Sequence, residues 1–166
     1  IYIRQEDGYG LRPNIGIRGA TTDRSQKITM MEDGILIGPA PYSAPAAYYV
    51  PNTARIHAVE ILKGPAAIKY GPHTVGGAIN FVTTPVPDSN TGTLDLSMGN
   101  DGYLKTQAEL GLRLNDQMGL LVDALDYRSD GFKELSNGGG TGFARNDFNI
   151  KFKWQPASRL PSILTM

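Results

Sequence analysis

The feature that most constrains this chain is a change of rhythm near residue 90, after which apolar residues recur at every second position. In residues 104–114, Leu104, Thr106, Ala108, Leu110, Leu112 and Leu114 share one side of an extended strand. Lys105, Gln107, Glu109, Gly111 and Arg113 share the other. Phe148, Ile150, Phe152 and Trp154 alternate in the same way with Asn149, Lys151, Lys153 and Gln155, and Leu94, Leu96 and Met98 do so with Thr93, Asp95 and Ser97. Residues 118–127 fit less cleanly, because Leu120, Leu121 and Val122 are contiguous and Asp123 and Asp126 differ in parity. The pattern predicts four strands, each with two chemically different faces.

The connections between them differ in length. Asn115-Asp116 reads as a tight turn, whereas the polar, Gly-rich stretch 129–142 reads as a long loop. Membrane barrels combine short turns on one side with long loops on the other. Tyr103, Tyr127, Phe132 and Trp154 fall near strand ends, where aromatic girdles are expected. Four strands of a soluble sandwich would alternate identically, so alternation leaves a β-rich soluble binding or adhesion module open. In a membrane, Lys105 and Arg113 must face the lumen, since turning either to lipid near the midplane costs about 2–4 kcal/mol. Four strands cannot close, because the smallest barrels need about eight. Most of such a barrel is therefore expected outside this sequence.

Residues 1–87 follow a different grammar. Short β-branched runs at 15–17, 27–31, 35–37, 58–62 and 78–83 are separated by Gly, Pro and Asn, the pattern of a small α+β domain. Short helices are expected at 65–69, where Pro65 follows Gly64, and near 53–57. Pro85, Pro87, Asp88, Ser89 and Asn90 form a breaker cluster that places the boundary between a unit 1–87 and a unit 91–166.

Composition removes several function classes. Sixteen basic and sixteen acidic residues leave no net field to attract nucleic acid. The chain has no cysteine, hence no disulfide, thiolate metal site or cysteine nucleophile. No apolar run approaches the roughly 20 residues of a spanning helix. Ile1-Tyr2-Ile3-Arg4 lacks an initiator Met and a signal-like run, and residues 160–166 begin an apolar stretch without a stop, so the sequence is expected to be cut from a longer chain.

Chemistry-bearing clusters are sparse. His57 and His73 have no third ligand at a suitable spacing, and Ser25, Ser43 and Ser97 lack a nucleophile setting. Glu32-Asp33, read as extended, point to opposite faces and make a poor acid–base pair. The stretch 64–71 lacks the Gly-Lys-Ser/Thr of a phosphate loop. Neither an enzyme nor a nucleotide site is expected. Gly19, Gly34, Gly64, Gly71, Gly76 and Gly77 read as turn or close-approach positions, and Arg18 and Glu60 as structural charges.

The ordered blocks Pro13-Asn14-Ile15-Gly16-Ile17-Arg18-Gly19, Asp33-Gly34-Ile35, Ala40-Pro41-Tyr42, Glu60-Ile61-Leu62-Lys63-Gly64-Pro65, Tyr70-Gly71-Pro72 and Gly76-Gly77-Ala78-Ile79-Asn80-Phe81-Val82-Thr83 closely resemble the plug of TonB-dependent outer-membrane receptors, most nearly the ferric-citrate and ferric-siderophore branch. The resemblance implies an α+β plug domain followed by antiparallel transmembrane β-barrel strands, a fragment of a plugged barrel of roughly 22 strands. It implies TonB-dependent uptake of a ferric chelate across the outer membrane of a Gram-negative bacterium, with cobalamin or a glycan as the alternative cargo. Partners would be the chelate, outer-membrane lipid and the inner-membrane TonB complex, whose contact segment would lie before Ile1. Iron would arrive inside its chelate, with no resident cofactor or metal. By block position the ligand-facing plug loops would be 20–26 and 38–49, with Arg24, Tyr42, Tyr48 and Tyr49 as substrate-binding residues. Arg24 suits carboxylates because a guanidinium binds them bidentately. Ser43-Ala44-Pro45-Ala46-Ala47 offers few polar side chains, a departure that weighs against citrate itself.

Overall fold

A computed structural model of the chain describes residues 1–37, 49–71, 73–136 and 138–156, and the backbone of Leu164–Thr165. The chain divides into two compact units, Ile1–Thr84 and Pro85–Met166.

The first unit holds two sheets. Strands β1 (Tyr2–Gln5) and β2 (Pro13–Gly16) form an antiparallel pair. Strands β3 (Ile28–Glu32), β4 (Ile35–Leu36), β5 (Ile56–Leu62) and β6 (Gly77–Thr83) form a mixed sheet in the order β4-β3-β6-β5, with β3 parallel to β6. The core is the apolar set Ile15, Ile17, Ile28, Met30, Ile79 and Phe81, contributed by both sheets. The runs forming β2, β3 and β6 bury their β-branched, Met and Phe side chains here, whereas β4 and β5 are held by their ladders and leave Ile35, Leu36 and Val59 exposed.

Both expected helices are 3-10 turns, at Thr53–Arg55 and Pro65–Tyr70. So few residues cannot offset the cost of an α-helical nucleus, and Gly71 at φ 115° ends the second turn. His57, expected in the first helix, lies in β5. The reading of Glu32-Asp33 as jointly extended is also corrected. Asp33 (φ 49°) and Gly34 (φ 82°) are the two central residues of the tight turn joining β3 to β4, the Asp-Gly pairing favoured where both φ angles are positive.

The second unit is an antiparallel meander of β7 (Thr91–Met98), β8 (Leu104–Arg113), β9 (Met118–Ser129), β10 (Phe143–Trp154) and β11 (Leu164–Thr165), each paired with the next. A fifth strand thus begins where four were expected. Register settles the ambiguous strand. Leu120, Val122 and Ala124 lie opposite Leu112, Leu110 and Ala108 on one side and Phe152, Ile150 and Phe148 on the other, all on the apolar face. Leu121, Asp123 and Leu125 take the polar face, where Gln107 Nε2 donates to Asp123 Oδ2 at 2.8 Å. Asp126 keeps the apolar parity but sits beyond the apolar band, between Thr106 and Asn146.

The apolar face is the exposed one: Leu94 is 65% exposed, Phe148 66% and Ile150 52%, while Asp123 on the polar face is 4% exposed. A soluble sandwich would bury the first set, not the second. Lys105, which reaches Asp95 at 3.7 Å, and Arg113 both lie on the polar face. The aromatic expectation needs one correction. Tyr127 pairs with Lys105 and Arg145, so it has polar-face parity, and it stacks edge-on with Tyr103 (5.6 Å) and Phe143 (4.7 Å). Trp154 alone of the four expected girdle residues lies in a strand on the apolar face.

Candidate functional site

Of the two loops expected to meet a ligand, 20–26 runs into the start of β3, and 38–49 follows β4, with 38–48 outside the described residues. The first leaves β2 through Arg18 (φ 58°) and Gly19 (φ 76°) and closes a 3-10 turn at Asp23–Ser25. Ser25 is fully buried, and its Oγ accepts the backbone N–H of Ile15 at 2.8 Å. That bond, with Gln26 Nε2 donating to Asp23 Oδ2 at 3.1 Å, holds the turn compact. Arg24 is exposed at φ 48°, a left-handed conformation costing a non-glycine residue about 1–2 kcal/mol. The Ser25 anchor over-determines that geometry. It leaves the guanidinium of Arg24 outside.

The second loop ends on a polar cluster. Tyr49 donates from its hydroxyl to Glu32 Oε2 at 2.8 Å, at the C-terminal end of β3. Arg55 Nη2 donates both to Glu32 Oε1 and to the Tyr49 oxygen. Asn52 caps the 3-10 turn carrying Arg55, its Oδ1 accepting from the N–H of Ala54 at 3.0 Å. Burial, then the hydrogen bond to the Glu32 carboxylate, raises the Tyr49 pKa above that of an ordinary phenol, while Arg55 opposes the shift. The phenol stays a donor. Beside it, Asp33 accepts from the Thr83 N–H at 2.8 Å and the Thr83 hydroxyl at 2.6 Å, and Asn80 bridges the Gly34 N–H to Glu60.

No hydrogen bond or ion pair joins Arg24 to Tyr49 among the described residues. Tyr42 and Tyr48 lie outside the described residues. Tyr49 has its hydroxyl committed within the unit, but its side chain is part of a residue still 38% exposed, leaving ring surface open. Sequence reasoning missed the Glu32–Arg55–Tyr49 cluster, in which Tyr49 and Arg55 stand 17 and 23 residues from Glu32 with no motif linking them. The Asp-Gly turn after Glu32 was the available signal. It fixes the end of β3 and hence the place of that carboxylate. Among the described residues no group of His, Asp or Glu is arranged to hold a metal ion.

Residues 1–78 match the family model described as TonB-dependent Receptor Plug Domain. Among curated proteins, the chain is 26% identical over 133 residues to the vitamin B12 transporter BtuB of Vibrio vulnificus, covering 80% of this chain and 21% of that protein. It is 29% identical over 96 residues to the vitamin B12 transporter BtuB of Photobacterium profundum, covering 58% and 15%. The chain therefore spans about a fifth or less of the curated relatives it matches. Among solved structures, it superposes on the ferric yersiniabactin uptake receptor FyuA of Yersinia pestis with a TM-score of 0.72 at 21% identity, covering 93% of this chain and 24% of that one. The ferric citrate transporter FecA, in its unliganded form, gives 0.66 at 23% identity, covering 87% and 22%. Residues 1–78 thus match the plug-domain family model, and together with the antiparallel strands that follow they have the fold of plugged barrels such as FyuA and FecA.

Proposed function

We propose that the protein containing this chain imports a ferric chelate across the outer membrane of a Gram-negative bacterium, with the inner-membrane TonB complex supplying the energy. The observation that carries the reading is one continuous chain with a plug-family match over 1–78 and the fold of ferric-chelate receptors across both units. The exposed apolar face of β7–β10 supports a lipid surround, and the absence of an acid, base and nucleophile set in the sequence supports transport over catalysis. The iron is cargo, held by its chelator. Arg24, held outward on a braced turn, is assigned to the anionic part of the chelate. Tyr42, Tyr48 and the ring of Tyr49 are assigned to its organic part.

A second reading has its own support, since the curated relatives are named as vitamin B12 transporters. Binding of a ferric-siderophore panel, ferric citrate and cyanocobalamin to the full-length parent in detergent separates the two. Saturable binding of one iron chelate, weakened about tenfold by Arg24→Ala as expected for loss of one charge-assisted contact of about 1.4 kcal/mol, supports the proposal. Binding of cobalamin alone would replace it with the second reading. A folded barrel that binds neither would remove both.

A further inference from the structure

The polar face of the second unit carries two strand glycines at diagonal positions, Gly111 in β8 and Gly119 in β9, and both are buried. Glycine weakens a strand and marks places where another stretch of backbone comes close. Here that stretch is residues 85–90. A side chain on Gly111 would run into the Pro87 ring, and would lie 2.6 Å from Thr91 Oγ1. One on Gly119 would put its Cβ 2.7 Å from Val86 Cγ1. Two polar clasps complete the seat: the Arg113 N–H donates to Asn90 Oδ1 at 2.8 Å, and Lys153 Nζ of β10 donates to Asp88 Oδ1 at 2.9 Å. Residues 85–90 thus form a strap that touches β8, β9 and β10 at the end bearing the short 114–117 turn. Two prolines limit the freedom it loses on seating.

The ion pair is the weaker part of the seat. Asp88 is 92% exposed at its side chain, and a pair so open contributes little. The glycine hollows matter more, because lifting the strap would leave them empty and strip the Arg113 N–H of its acceptor. We infer that this strap is a permanent anchor: residues 85–90 stay seated on β8, β9 and β10 throughout the transport cycle, so the ligand path opens without lifting them. The inference rests on the transport reading above.

A disulfide between Val86→Cys and Gly119→Cys tests it in the full-length parent with any other cysteines replaced. The 2.7 Å from Val86 Cγ1 to a Cβ on Gly119 is close to the roughly 3 Å from a Cβ to the far sulfur of a disulfide. The expected result is ready bond formation in the ligand-free protein, read by peptide mass spectrometry, and chelate uptake by cells within about twofold of the reduced protein. Uptake that falls tenfold or more on oxidation and returns on reduction would overturn the anchor, because the strap would then have to lift. A folded double variant that forms no disulfide would overturn it too. If the reduced protein and its parent import nothing, the transport reading fails separately, and disulfide formation still decides whether the strap is seated.

Discussion

The two units of this chain obey opposite solvent rules. In the first, the side chains of the shared core turn inward, Ile17, Ile28 and Met30 each 1% exposed, although Ile35, Val59 and Ile68 stay outside, and charged groups gather at the sheet's end around Glu32 and Arg55. In the second, Leu94, Leu96, Met98, Phe148 and Ile150 are on the exposed face, while Gln107 and Asp123 hydrogen-bond on the other. Water is the solvent that explains the first arrangement. The hydrocarbon surround proposed above makes the second favourable. One chain therefore carries two folding codes, and each can be broken by a substitution that the other would tolerate.

The largest effect is expected in the first unit. Phe81 is buried in the central strand β6 within the shared core, and Phe81→Ala should cost about 3–5 kcal/mol through lost transfer energy and a cavity. Amide hydrogen exchange of β3 and β6 in the full-length protein would read it as a loss of protection confined to the first unit. Protection lost equally in β8 and β9 would show that the two codes are not independent.

The second unit should respond to charge instead of volume. Ile150→Lys, on a residue already 52% exposed, would be almost neutral in water. With lipid around the strand it should cost about 2–4 kcal/mol near the midplane. Lys151→Leu, one residue away on the polar face, should cost much less. Urea unfolding in lipid vesicles checks the pair, and equal costs would remove the assignment of faces.

How much of this was legible in the sequence differs between the units for the same reason. Alternation encodes a strand's faces locally, so β8 and β10 could be drawn from Leu104 to Leu112 and from Phe148 to Trp154 without partners. β9 could not, because Leu121 and Asp123 share the polar face, and that becomes visible only once Leu121 lies opposite Gly111 and Lys151. The first unit's turn was legible at Gly34 but not at Asp33, which reads as extended in the sequence and takes a positive φ in the turn. Its polar cluster was not, since Tyr49, Glu32 and Arg55 meet only after β3 and β5 have been placed by β6. The strap's seat was likewise hidden: in the sequence Gly111 is one more polar-face position, and nothing there shows that residues 86–87 occupy the hollows at Gly111 and Gly119.

A smaller perturbation sharpens the comparison within the first unit. Thr83→Val keeps the shape of a buried residue but removes the hydroxyl donor to Asp33 Oδ2, while the Thr83 N–H bond to Oδ1 survives. The expected loss is about 1.5 kcal/mol, the net worth of a hydrogen bond to a charged acceptor that is itself exposed. It should appear as faster exchange at the Asp33-Gly34 turn, with β7–β10 unchanged. No change at the turn would mean that the Thr83 hydroxyl is not needed to hold Asp33.

The smallest effect is the most specific, because it depends on pH. Tyr49 is raised above the ordinary phenol value by burial and by its bond to Glu32. A folded-state pKa above the unfolded one means that the native state holds its proton longer. The stabilisation is therefore complete below the unfolded value near 10 and is lost as pH rises through the folded pKa. At pH 7, Tyr49→Phe should cost about 1 kcal/mol, the net worth of a hydrogen bond to a partly exposed charged partner. Above the phenol range the variant should lose less stability than the parent, since it has no phenol to ionise beside Glu32. The second unit supplies the internal reference, because Asp88, bonded to Lys153, has its pKa lowered and should weaken its clasp only as pH falls below the ordinary carboxylate range. Exchange rates followed from acid to alkaline pH should thus loosen residues 49–55 at the alkaline end and leave residues 86–90 almost unchanged at the acid end, because so open a pair contributes little. A parent and a Tyr49→Phe variant with parallel alkaline profiles would show that the Glu32–Arg55 pair holds the end of β3 without the tyrosine.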